Sequence, residues 1–243
     1  MSGGRGRLRV GTSGWQYDHW KGLFYPDQLS RSGWFGYYAH CFDTVEVNNT
    51  FYHLPTAETF DAWREAAPEG FLYALKFSRY GSHLKKLKDP AASVGMFVER
   101  ADRLGDRLGP ILVQLPPNWK VNVERLDAFL AAAPKRLRWA VEFRNPGWLC
   151  REVFDVLSAH GAALCIHDAL ENHPREATAD WGYFRFHGAG PWGKYSHQAL
   201  SVAAGRIRER LESGADMYAY FNNDAQAFAV VNALDLRRYA GGG

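Results

Sequence analysis

The sequence predicts a single (β/α)8 TIM barrel, and three observations carry that prediction. Eight short apolar runs recur at regular spacing; most are too short for a helix and are bounded by Gly, Pro or polar residues. Segments with helical periodicity lie between most of them, the alternation that builds a parallel sheet. The length, 243 residues, suits one barrel better than two smaller domains.

In chain order, strands are expected at Leu8–Thr12 and Thr44–Asn48, then a helix at Thr56–Ala66 with Thr56 and Thr59 as caps. Strand Leu72–Phe77 precedes a helical pattern at Ala91–Leu108. Strand Ile111–Leu115 precedes helix Val123–Ala133, and strand Trp139–Phe143 precedes helix Cys150–Ala159. The sixth strand is Ala162–His167. Its link from Asp168 to Tyr183 is short and holds His173-Pro174, so the helix after strand six is reduced to a turn. Strands Tyr183–His187 and Met217–Asn222 follow, each leading into a helix, at Gln198–Leu211 and Ala225–Leu236. One domain over 1–243 is expected, with flexible ends at about 1–6 and 240–243.

The formal charge of +3 is too small to argue for a nucleic-acid partner, which is neither favoured nor excluded. The densest basic groups, Lys85, Lys86 and Lys88, and Arg206, Arg208 and Arg210, read as solvated faces. Cys41, Cys150 and Cys165 form no CxxC or disulfide-like pattern, which points to the reducing cytoplasm. No signal peptide or membrane-length apolar run is visible, so no membrane partner is expected.

Strand side chains alternate between faces. Val45 and Val47 oppose Thr44, Glu46 and Asn48; Tyr73, Leu75 and Phe77 oppose Ala74, Lys76 and Ser78. Trp139, Val141 and Phe143 oppose Ala140, Glu142 and Arg144, and Phe184 and Phe186 oppose Arg185 and His187. The apolar sets suit the helix side, which sends the polar sets inward. Barrel interiors are normally filled by branched apolar residues, and an unpaired buried charge costs several kcal/mol. Inward polar residues near the C-terminal ends of many strands therefore read as a site. The candidates are Ser13 or Gly14, Glu46, Asn48, Lys76, Gln114, Glu142, Arg144, His167, Arg185, His187 and Asn222, followed in loops by Asp168, Asn223 and Asp224.

Glu46 and Glu142 could pair with Lys76 and Arg144, or act as acid and base. Lys76 could form a Schiff base or bind an anion; Arg144 and Arg185 offer forked donors for phosphate or carboxylate. Glu142, His167, Asp168, His187 and Asp224 could furnish a divalent-metal shell, although no helical ligand pattern supports it. Asn222-Asn223-Asp224 could instead cap the last helix. Trp15, Tyr17, Trp20, Phe51, Tyr52, Trp148, Trp192 and Tyr195 could wall a pocket, with Phe51 and Trp148 the foremost candidates for plain packing. Pro116-Pro117 stiffens the loop after strand four and could hold an unusual peptide geometry.

Taken in order, several motifs resemble one family. They are Gly11-Thr12-Ser13-Gly14-Trp15, Phe24-Tyr25-Pro26, Thr44-Val45-Glu46-Val47-Asn48-Asn49-Thr50-Phe51-Tyr52, Gln114-Leu115-Pro116-Pro117, Val141-Glu142-Phe143-Arg144, His187-Gly188 and Phe221-Asn222-Asn223. Together they resemble the YecE-like family, the domain of unknown function numbered seventy-two, from about Val10 to about Ala233. The resemblance implies a TIM barrel loosely akin to sugar isomerases and to barrel endonucleases; it implies no particular reaction. Lys76, Arg79 and His83 fit the family's run after strand three. Gly81 and Ser82 depart from it, as do Asn145 and Gly147 around Pro146 and Trp148.

Three readings follow. In the first, the chain is an enzyme acting on a small polar or anionic, sugar- or phosphate-like substrate. Glu46, Lys76, Glu142 and His187 are the catalytic candidates, and Trp15, Asn48, Gln114, Arg144, Arg185 and Asn222 bind substrate. In the second, His167, Asp168 and Asp224 help hold a divalent metal for isomerisation or phosphodiester hydrolysis. In the third, the same residues bind a metabolite without changing it. No cofactor is otherwise implied, and the oligomeric state is not readable.

Overall fold

The computed structural model describes residues 4–188 and 193–241. Eight parallel strands alternating with helices put the chain in the (β/α)8 TIM-barrel class. By contacts the chain divides into two compact units, residues 1–46 with 180–243, and residues 47–179.

The first unit contains β1 (Leu8–Thr12), α1 (Trp34–Cys41), β2 (Thr44–Val47, which ends one residue past it), β7 (Trp181–Phe186), α7 (His197–Glu212), β8 (Asp216–Phe221) and α8 (Phe228–Tyr239). β8 lies between β1 and β7, pairing Val10 with Ala219 and Phe184 with Ala219. A parallel bridge joins Ser13 to Glu46. Gly11 permits this close approach: a Cβ there would sit 2.3 Å from the Thr44 carbonyl oxygen. The Tyr38 hydroxyl, beside it, accepts from the Thr12 amide at 2.9 Å. An aromatic layer covers this region, with Tyr25 stacked on Trp34 at 4.8 Å between centroids.

The second unit contains α2 (Asn49–Tyr52), α3 (Ala57–Ala66), β3 (Leu72–Lys76), α4 (Pro90–Ala101), β4 (Leu108–Gln114), α5 (Val123–Ala132), β5 (Trp139–Glu142), α6 (Arg151–Ala159) and β6 (Ala163–His167). Its strands pair in sequence order, β3 to β6. Caps set the helix starts. Asn122 accepts the Arg125 amide at 2.9 Å, Pro90 opens α4 and Thr56 accepts the Thr59 amide. Phe77, fully buried, packs edge-on against Phe97 and Phe129, so the odd residues of this strand do face helices.

All eight expected strands are present, with ends that coincide or shift by a few residues, and residues 168–180 contain no helix. α1 was not expected. Its sequence, Trp-Phe-Gly-Tyr-Tyr-Ala-His-Cys, is aromatic and interrupted by Gly36, a composition of low helix propensity. Packing of Trp34 and Tyr38 into the core overrides that preference. The pattern at Ala91–Leu108 is broken: α4 ends at Ala101 and a 3-10 segment with Gly105 at φ +56° leads into β4. Between described residues every peptide bond is trans, Pro116 and Pro117 included, so that loop is stiffened only by fixed φ angles.

Candidate functional site

Glu46 is the centre of the first unit's polar cluster, at the C-terminal end of β2. Its carboxylate is wholly buried. Oε1 accepts from Ser13 Oγ at 2.6 Å and from Arg185 Nη2 and Nε at 2.8 and 3.2 Å; Oε2 accepts from Tyr183 at 2.6 Å. The Arg185 guanidinium and these donors outweigh desolvation and hold the Glu46 carboxyl below its ordinary range. Four donors on an ionised carboxylate leave it poorly suited to take up a proton; its geometry instead fixes Arg185, itself 2% exposed. Arg185 Nη1 lies 3.3 Å from His187 Nε2, and a guanidinium only donates, so Nε2 is the acceptor and Nδ1 carries the hydrogen.

Tyr183 was not singled out from the sequence. The signal was available, because 183 shares parity with 185 on β7 and with 187 just past its end. Burial, reinforced by Glu46, pushes its hydroxyl well above the ordinary range, so it remains a donor. Tyr17 belongs to the same neighbourhood: it donates to the Ser13 carbonyl at 2.5 Å, and burial, Asp224 and Glu46 raise its pKa.

The second unit's cluster centres on Glu142 at the end of β5, also wholly buried. Oε1 accepts from Gln114 Nε2 at 2.8 Å, and Arg144 Nε donates to the same oxygen. Gln114 and Glu142 are register partners at the ends of β4 and β5. Lys76 ends β3 at 7% exposure, its Nζ 4.2 Å from the Phe51 ring centroid. Phe51 is brought there by its neighbour Thr50, whose hydroxyl donates to the Lys76 carbonyl at 2.7 Å. The Phe51 ring meets His83 edge-on at 4.9 Å.

His83 was named only through the family run. It sits in a five-residue π-type turn, Tyr80–Leu84, which no periodicity announces. Ser82 Oγ donates to the Ser78 carbonyl at 2.8 Å and so accepts from His83 Nδ1 at 3.0 Å, leaving Nε2 as the basic nitrogen. Burial, with Lys76 and Arg79 nearby, lowers the His83 pKa to about 4, against an opposing pull from Glu142.

The remaining candidates divide. Asn48 Oδ1 is buried with no hydrogen-bond partner among the described residues. Asn222 is half-buried, its backbone N–H donating to the Phe186 carbonyl at 2.8 Å. Trp15 is 6% exposed and packs edge-on against Phe35. Trp20 and Trp148 are fully buried, and Trp148 stacks on Phe143 at 5.1 Å. Tyr52 is exposed, and Trp192 lies outside the described residues.

His167 has both ring nitrogens occupied by backbone. Nε2 donates to the Phe143 carbonyl at 2.9 Å and Nδ1 accepts the Ala169 amide at 3.2 Å. Burial lowers its pKa to about 4. Asp168 is exposed; Asp224 is partly exposed beside His19, and its side chain does not cap the following helix. Among the described residues no three His, Cys, Asp or Glu gather so as to hold a metal ion. None of the helices among the described residues is long and apolar enough to cross a membrane.

Parallel strands, interleaved helices and buried charges near strand C-terminal ends define a TIM-barrel protein with candidate sites where that fold carries them. The chain belongs to the family described as "Protein of unknown function DUF72", whose model matches residues 9–242. Among its relatives is the UPF0759 protein YecE of Escherichia coli K12, 32% identical over 115 residues, which are 47% of this chain and 42% of that protein. The UPF0759 protein YunF of Bacillus subtilis is 23% identical over 94% of this chain and 93% of its own. A crystallised DUF72 protein from Thermotoga maritima superposes with a TM-score of 0.85 at 29% identity, covering 96% of this chain and 98% of its own. A D-psicose 3-epimerase, at TM-score 0.55 and 14% identity over 97% of this chain and all of its own, shares the fold.

Proposed function

We propose that the chain is a cytosolic enzyme acting on a small polar, anionic substrate of sugar- or phosphate-like character. The observation that supports this most directly is the second unit's cluster. Glu142 is a carboxylate removed from water, and Lys76, Gln114 and Arg144 lie at or just past the C-terminal ends of their strands. Structural packing does not require four such groups in place of branched apolar residues. In this reading Lys76 and Arg144 hold the anion, and Glu142 orients Gln114 and Arg144. Neutral His83 offers Nε2 to a substrate proton, and the unsatisfied Asn48 Oδ1 accepts from a substrate hydroxyl. In the first unit, Glu46 orients Arg185 and, through it, His187. Cys41, Cys150 and Cys165 are not joined in disulfides among the described residues, which suits a reducing compartment.

The test is a substrate panel of phosphorylated sugars and hydroxy acids followed by proton NMR, with Lys76→Met and Glu142→Gln alongside the parent. Conversion of at least one compound by the parent is expected, with loss in both variants while circular dichroism is unchanged. A compound bound and returned unaltered would put a binding module in the enzyme's place. Equal conversion by Lys76→Met would remove Lys76 from the anion site.

A further inference from the structure

The second unit has a polar cavity far from the cluster just described. It is an open recess of about 600 Å³, lined by Asp61, Arg64, Glu65, Arg103, Asp106 and Arg107. Asp61 and Glu65 lie on α3 with Arg64, and the other three lie in the segment that enters β4. Arg107 immediately precedes β4 and Gln114 ends it. Seven residues of strand separate them by roughly 20 Å.

The charges in this cavity are unequally committed. Arg103 is paired with Asp61 through two donors, and Arg107 Nη1 donates to Asp106 at 2.9 Å. Arg107 Nε, by contrast, is buried and has no hydrogen-bond partner among the described residues. A buried N–H left in that state is destabilising, and more so when its group is charged. The Arg64 side chain makes no hydrogen bond or close ion pair with the described residues, although its charge is felt at Asp61. Its guanidinium reaches over Gly105, where a Cβ would come within 3.4 Å of Nε. Gly105, at φ +56°, thus shapes the turn and leaves room for the side chain.

We infer that this cavity is a second ligand site, for a small oxyanion-bearing molecule gripped by Arg64 and Arg107. Two guanidinium groups, one with a desolvated Nε–H and one whose side chain has no acceptor among the described residues, are the donor set that phosphate or carboxylate oxygens complete. Asp61 is paired with Arg103 and Asp106 with Arg107, while Glu65, the third carboxylate of the lining, is exposed to solvent, where its charge is screened. The ligand would bridge α3 and the entry to β4, at the end of the strand opposite Gln114.

The full chain labelled with 15N-arginine tests this through its Nε–H resonances. Arg107→Lys identifies the Arg107 signal by its disappearance. Sodium phosphate and sodium citrate are titrated separately, each against sodium chloride at matched ionic strength. A saturable shift of the Arg107 and Arg64 signals with phosphate, citrate or both is expected, and the tighter arm names the head group. Arg64→Ala, at an exposed position, should weaken binding about tenfold, the loss of a charge-assisted bond, and leave the melting temperature without anion unchanged. Shifts that follow ionic strength alike in all three salts would overturn the assignment. So would undiminished affinity in Arg64→Ala, which decides the matter even if Arg107→Lys does not fold.

Discussion

Replacing Glu46 by Gln tests the first unit's cluster most sharply. The substitution keeps shape and removes the charge. Arg185, 2% exposed, then loses its ionised partner at 2.8 Å. Breaking a buried pair by removing one partner costs about 3–5 kcal/mol. Ser13 and Tyr183 lose the charged quality of their acceptor, although an amide oxygen can still serve one of them. For a chain of this size the expected fall in melting temperature is roughly 10 °C. Thermal melts followed by circular dichroism measure that fall, and urea denaturation the free energy, in Glu46→Gln, Arg185→Met and the double variant. The double variant should lose much less than the sum of the singles, with a coupling of about 2 kcal/mol or more. A single-variant loss below about 1 kcal/mol, or additive losses, would mean that the pair contributes little.

Stability should also depend on pH in a stated direction. Glu46 titrates below its unfolded value, so its contribution is complete above the ordinary carboxylate range and is lost as pH falls through the folded pKa. His167 must stay neutral: with a folded pKa of about 4 against about 6.5 unfolded, its contribution is complete above pH 6.5. It then declines by up to about 3 kcal/mol as pH falls toward 4. His167→Gln should flatten that limb, and an unchanged pH profile would contradict the assignment of both nitrogens to backbone. Gly81→Ala should destabilise by about 1–3 kcal/mol, because its Cβ would lie 2.5 Å from the Phe77 ring. Phe77→Leu in the same chain should recover part of that loss, and no recovery would place the strain elsewhere. Glu142→Gln should alter ligand binding or turnover more than folding; a variant that unfolds instead would make the Glu142 cluster structural.

Much of this was open to the sequence because a strand has a period of two. Once Val45 and Val47 were assigned to the helix side, Glu46 had to point the other way, and likewise Lys76 opposite Phe77 and Glu142 opposite Phe143. Eight apolar runs with helical segments between them left few architectures to choose from. Partner choice was another matter. Glu46 meets Arg185 across 139 residues of chain, and no local pattern encodes which guanidinium it takes. Whether His167 is a ligand or a neutral strut depends on two backbone groups, Phe143 O and Ala169 N, whose positions only the fold supplies. Lys76 rests on Phe51 because Thr50 reaches the end of β3, and α1 exists because Trp34 and Tyr38 are buried in spite of a composition that disfavours helix. Periodicity is a property of the chain and can be read along it. Pairing and desolvation are properties of distance in space, and they are decided only when the strands have closed upon one another.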